Sequence, residues 1–341
     1  MLGTILLTAI NAVFPIVLTI LLGYLLRRSG FLNDAFIKTG NKLVFRVCLP
    51  CVLFSNVYSM SAAQTIDWGV VLYCTAAVLG LFLLGMAVAV ATTRDCSRRG
   101  VIWQCCFRSN YAIIGTSLSM ALGGESAMVV SSAILALTVP LFNVFSVIAL
   151  EVFTEDKPGH RNSPGHMLID ILKNPLIIAV VLGAVCLGIR SLQEQLFGKV
   201  VFSLSRDTAF LFSVINSIKS MATPLALLVL GGQFQFSVVR GMFKEIAVST
   251  VFRIVIAPVL GLGVALLLDR YTNLLSCNTE TIPAMLALFG SPVAVSSAVM
   301  AAEMHNDKQL AAQLVVWTSI GSAFTLFLMV CVLMSMGLLA V

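Results

Sequence analysis

The chain has 341 residues, 59% of them apolar and only 11% charged, against roughly 25% charged in soluble domains. That balance excludes a water-soluble fold, a disordered chain and a disulfide-stapled secreted fold. At about 20 apolar residues per crossing, the apolar residues suffice for on the order of ten membrane-spanning helices, with little left for a globular domain. The formal net charge of +6 has the sign expected of cytoplasmic loops rich in Lys and Arg, so it calls for no nucleic-acid partner.

Charges, prolines and small polar clusters divide the chain into ten apolar segments, near 4–26, 40–58, 67–92, 101–123, 127–153, 166–189, 208–234, 243–268, 281–302 and 309–340. Lipid offers no hydrogen bonds to a bare backbone, and runs this long lack the alternation of barrel strands, so the segments are predicted to be helices. Residues 4–26 follow no basic leader region and are expected to remain as the first crossing. With the N-terminus outside, thirteen of the 21 Lys and Arg fall on inner loops and four on outer ones. That bias predicts a multi-pass plasma-membrane protein with both termini extracytoplasmic. Arg46, Arg108, Lys219 and Arg253 fall within segments. The first two, near cytoplasmic ends, are read as snorkelling to the interface, and the other two as candidates to face a cavity.

The most polar interior stretch, 155–164, follows segment five and divides the chain into a first half (1–157), a connecting loop (158–165) and a second half (166–341). The halves resemble each other. Pro15 to Gly23 parallels Pro175 to Gly183; Arg46 before Pro50 parallels Lys219 before Pro224. Val78-Leu79-Gly80-Leu81 parallels Val259-Leu260-Gly261-Leu262, and Thr116-Ser117 with Met120-Ala121 parallels Ser296-Ser297 with Met300-Ala301. Five crossings per copy force the second copy to enter the bilayer from the opposite side. The expectation is an all-α integral membrane protein of ten transmembrane helices in two inverted five-helix repeats, an architecture of secondary transporters.

Such folds bind substrate near the midplane, at helices that are interrupted there. Segment four carries Ser109-Asn110-Tyr111-Ala112-Ile113-Ile114-Gly115-Thr116-Ser117 and segment nine carries Gly290-Ser291-Pro292-Val293-Ala294-Val295-Ser296-Ser297. Both are dense in glycine, proline and hydroxyls, which loosen a helix and partner its freed groups. Helices four and nine are thus expected to be broken and to cross at the midplane. Broken ends expose N–H groups that suit an anion, and the deep charges are all basic. The candidate substrate-binding residues are Asn110, Gly115, Thr116, Ser117, Ser291, Pro292, Ser296 and Ser297, with Lys219 and Arg253. No metal or cofactor is expected: Cys48 and Cys51 have redox spacing without a βαβ unit, His160, His166 and His305 lack ligand spacing, and no Walker A sequence is present.

Asn174-Pro175-Leu176-Ile177-Ile178, Pro224-Leu225-Ala226-Leu227-Leu228 with Gly231, Arg253 five before Pro258, and Ser291-Pro292-x-Ala294-Val295-Ser296-Ser297 with Met300-Ala301-x-Glu303-Met304 resemble the bacterial auxin efflux carrier family, the PIN-like transporters, along essentially the whole chain. The resemblance implies the ten-helix inverted repeat, a crossing of helices four and nine, and a carboxylate cargo. Asn110 and Gly115 match the plant motif, whereas Ser117 and Ser297 stand where plant members carry proline. The expected activity is carriage of a small organic anion, a mono- or dicarboxylate, by alternating access. Its partners are the anion and the lipid bilayer, with a homodimer left open. The alternatives are a sodium-coupled symporter of the bile-acid type and a non-transporting membrane sensor; no enzymatic constellation is present.

Overall fold

The computed structural model describes residues 2–59, 68–153, 169, 171–272 and 275–339, with side chains for all of these except 2–13, 116, 117 and 236. The expected connecting loop, 158–165, lies outside the described residues. The rest is helical. Among the described residues the β pairing is a single isolated antiparallel bridge, Ser109 with Val293.

In chain order the helices are α1 (Leu2–Arg28), α2 (Asp34–Leu43), α3 (Leu49–Tyr58), α4 (Trp68–Thr92), α5 (Cys96–Phe107), α6 (Thr116–Val152), α7 (Pro175–Phe197), α8 (Leu204–Asp207), α9 (Ala209–Gln233), α10 (Phe243–Val251), α11 (Ala257–Tyr271), α12 (Thr281–Gly290), α13 (Ser296–Glu303) and α14 (Lys308–Ser335). π turns at Val44–Cys48, Tyr111–Gly115 and Phe252–Ile256 lead directly into α3, α6 and α11. Polar caps start the helices where the chain leaves solvent. Asn33, Asp95, Asn174 and Asp307 each accept a bond from a first-turn N–H of α2, α5, α7 and α14, satisfying donors that a helix start leaves unpaired.

Six helical stretches among the described residues are long and apolar enough to cross a membrane. Their outward faces carry large apolar side chains such as Leu83, Leu182, Val259 and Phe324, a pattern that suits lipid and would aggregate in water. Segments two and nine are built from shorter pieces. The predicted boundary between segments four and five falls inside α6 at Gly124, whose φ of 64° and ψ of −155° bend the helix in a region that glycine adopts at least cost.

Helix α1 packs along α9, and α3 along α7. Gly23 of α1 lies against the backbone of Leu228, Gly231 of α9 against the backbone of Ile20, and Gly183 of α7 against Phe54 and Val57. A Cβ at any of these would push the helices apart, which is how glycine brings helix backbones together in lipid. A second group is built from α4–α6 and α10–α14, in which α4 packs on α5, α5 on α6, α6 on α12 and α13 on α14. The two interruptions lie in this group, where they meet.

Candidate functional site

The first interruption runs over Arg108–Asn110, between the end of α5 and the π turn at Tyr111; the second runs over Ser291–Val295, between α12 and α13. The second falls where the sequence predicts it. The first overlaps the start of the predicted 109–117 stretch, whose Gly115-Thr116-Ser117 end sits in the π turn and the first turn of α6. Gly115 packs so closely on the Tyr111 ring that a Cβ there would overlap it.

One side chain accounts for both breaks. Arg253, in the π turn before α11, is 1% exposed and donates from Nε to the Ser291 carbonyl at 3.0 Å and from Nη2 to those of Leu288 (3.2 Å) and Phe289 (2.8 Å). Its Nη1 donates to the carbonyls of Phe107 (3.3 Å) and Cys106 (3.5 Å). A helix running on would need four of these oxygens, on residues 106, 107, 289 and 291, as acceptors for N–H groups four residues later. Two of those N–H groups are bonded elsewhere: Asn110 N donates to the Pro292 carbonyl at 2.8 Å, and Val293 N to Thr318 Oγ1 at 3.2 Å. The guanidinium therefore caps the negative ends of α5 and α12 together. Arg253 is not brought to the cavity; its donors face carbonyls.

With both C-terminal ends neutralised, the starts of the helical stretches at Tyr111 and Ser296 border a cavity of about 120 Å³, room for several waters or a small organic acid. Its walls come from α3 (Leu49, Val52, Leu53, Asn56), α6 (Val139, Phe142, Asn143), α9 (Ala222, Thr223, Ala226) and the two breaks. Arg108 stands in it, 4% exposed. Its Nη1 donates to Ser146 Oγ at 2.7 Å and to Met300 Sδ at 2.9 Å; its Nη2 donates to Asn143 Oδ1 at 2.9 Å and to Ser296 Oγ at 2.7 Å. Every one of these acceptors is neutral, and among the described residues no Asp or Glu lines the cavity. Four buried polar groups around the breaks have no partner among the described residues: Arg108 Nε, Asn110 Nδ2, Ser109 Oγ and Ser297 Oγ. All four can donate. A buried cation without a counter-charge, ringed by idle donors, is costly unless something negative joins it.

Of the sequence candidates, the structure brings Asn110 and Ser296 to the cavity wall. Ser297 is buried one residue away, and Pro292 contributes its carbonyl to Asn110. Ser291 is turned away, its Oγ donating to the Ala287 carbonyl at 2.6 Å. Lys219 is half-buried one turn before the cavity residue Thr223, with Nζ donating to Ser55 Oγ at 3.0 Å. The side chains of Thr116 and Ser117 lie outside the described residues.

Arg108 corrects the sequence reading. It does not snorkel, because Asn143 and Ser146 of α6 and Ser296 enclose it before it can reach the interface. The missed signal is in segment five, where Asn143 and Ser146, three residues apart on one face of an apolar helix, need a buried polar partner.

Interrupted helices meeting at a polar, cationic centre inside an apolar helical shell define a membrane protein built to admit a solute. Residues 8–330 match the family model described as Membrane transport protein, and the chain belongs to that family, the auxin efflux carriers. No curated protein matches it.

Proposed function

We propose that the protein is a secondary carrier or facilitator of a small organic anion, a mono- or dicarboxylate, moved by alternating access. The observation that carries this reading is Arg108: a buried guanidinium with only neutral partners, beside idle donors and the starts of two helical stretches. A carboxylate supplies the missing charge, and planar guanidinium groups bind carboxylates in a forked geometry. Ser296, Asn110 and Ser109 then hydrogen-bond its oxygens, while Leu49, Val52 and Phe142 pack on its carbon skeleton.

Alternating access rests on the inverted repeat, and packing supports that repeat at particular residues. The sequence parallels relate segment one to six by a shift of 160 residues (Pro15 to Pro175) and segment two to seven by 174 (Pro50 to Pro224). Under those shifts Gly23 becomes Gly183 and Phe54 becomes Leu228. Gly23 lies against the Leu228 carbonyl and Gly183 against the Phe54 carbonyl. The contact of α1 with α9 and that of α3 with α7 are thus one contact made twice, as a two-fold axis in the membrane plane requires. In this reading ten crossings place both termini outside the cytoplasm, in the plasma membrane.

The test is counterflow in proteoliposomes with radiolabelled lactate and malonate. Saturable exchange of either, lost in Arg108→Gln, supports the proposal. Absence of exchange together with absence of binding for acetate, lactate, malonate and succinate defeats it.

A further inference from the structure

Lys38, Lys42 and Arg46 recur every four residues along α2 and its π turn, so they share one helix face. All three are exposed. Three residues beyond Arg46, less than a turn on, Leu49 is the first residue of this helix to line the cavity. The face therefore runs as a basic ladder from the protein surface to the site that holds Arg108.

Helix α13 lies alongside. It packs against both α2 and the Val44–Cys48 turn. Its eight residues span about 12 Å, from Ser296 in the cavity to Glu303 at the outer end. Burial pushes the half-buried Glu303 carboxyl above the usual carboxylate range, opposed by the nearby charges of Lys42, Arg46, His305 and Lys38 in decreasing order. None closes to an ion pair with it among the described residues; the acids paired on this face are Asp34, Asp95, Glu245 and Asp307, held by Arg27 and Arg98. A set of cations kept only to meet lipid headgroups needs neither alignment with a cavity nor an acid placed opposite.

We infer that the seam where α13 packs against α2 opens as the access path of the anion from this face, with Lys38, Lys42 and Arg46 leading it to Arg108 and Glu303 standing in for it when the path is empty. The inference rests on the anion-carrier reading above. A carboxylate arriving at the surface meets Lys38 first and exchanges for the Glu303 carboxylate at Lys42 and Arg46. It then passes the apolar constriction at Leu49 to reach the guanidinium. The cationic wall of Lys38, Lys42 and Arg46 repels cations, so the path selects for anions.

The path is read without knowing the cargo, by labelling Ser296→Cys in membrane vesicles of each orientation. The probes are anionic 2-sulfonatoethyl methanethiosulfonate and cationic 2-(trimethylammonium)ethyl methanethiosulfonate. Intact mass counts adducts above those of the unsubstituted protein. From the Lys42 face at low salt, the anionic reagent is expected to react at least about tenfold faster than the cationic one, an advantage that shrinks in high salt. Lys42→Gln with Arg46→Gln lowers the anionic rate about tenfold, Glu303→Gln raises it several-fold, and labelling from the opposite face stays unchanged. Both cations are exposed, and an unchanged melting temperature confirms that their removal spares the fold. Equal rates for the two reagents, or variants that change labelling from both faces alike, overturn the inference. Anion-selective labelling in a protein that binds no organic acid leaves the path standing and removes the carrier reading, so the two fail separately.

Discussion

Arg108 and Arg253 are both buried cations, yet their surroundings assign them opposite consequences. Arg108 is held by an amide, two hydroxyls and a thioether, all of which can find other partners or water when it is gone. Arg108→Gln is therefore expected to fold with a melting temperature close to that of the parent while losing anion binding. A hydrogen bond to a charged group contributes about 1.5–3 kcal/mol, so affinity falls at least about tenfold. Arg108→Lys does not restore it, since a point charge cannot reproduce the fork. Isothermal titration with lactate and malonate checks both variants. Ser109, Asn110 and Ser297 were legible in the sequence as polar residues in apolar helices, because an unexplained hydroxyl or amide in lipid is local information. Arg108 was misread because its burial is decided by Asn143 and Ser146, which reach it only when α6 folds back alongside α5.

At the scale of elements, the interruptions depend on a distant side chain more than on local helix breakers. The break at 291–295 contains Pro292 and was predictable; the break at 108–110 contains no proline and takes up only the first residues of the predicted 109–117 stretch. Its position follows from Arg253 holding the carbonyls of Cys106 and Phe107 and from Asn110 bonding to Pro292, contacts that link segments four, eight and nine. Pro292→Ala is accordingly expected to retain the break and to change transport by no more than a few-fold. Even with an N–H restored at 292, the carbonyls of Leu288, Phe289 and Ser291 remain engaged. Arg253→Ala leaves buried carbonyls unpaired at two helix ends and is expected to cost on the order of 3 kcal/mol or more. Comparing the melting temperatures and folded yields of the two variants in detergent separates these outcomes. A larger loss for Pro292→Ala would show that the proline makes the break.

For the whole molecule, the apolar composition and segment spacing carried the helical membrane fold, whereas the pairing of α1 with α9 and of α3 with α7 was not foreseen, although the glycines that make it, Gly23 and Gly183, stood out in the matched Pro-to-Gly spacing. Those signals survive in a single sequence because glycine is nearly obligatory where two backbones touch. The location of the cavity did not survive in the same way, since five separate stretches contribute to it. A carrier that moves a monovalent anion with no co-transported cation moves net negative charge. One charge crossing 100 mV is worth about 2.3 kcal/mol, so an inside-negative potential of that size expels the anion about fifty-fold against equilibrium. Lactate efflux from proteoliposomes is expected to accelerate when a potassium diffusion potential makes the interior negative. Efflux that ignores the potential but follows a sodium gradient would assign a coupled mechanism instead.

The most direct test is thermal stabilisation of the purified protein by acetate, lactate, malonate and succinate, set against lactamide and malonamide and repeated in Arg108→Gln. The account predicts that at least one acid raises the melting temperature in a saturable way, that the neutral amides do not, and that the shift vanishes in the variant. Stabilisation by an acid that persists undiminished without Arg108, or equal stabilisation by acid and amide, would contradict it.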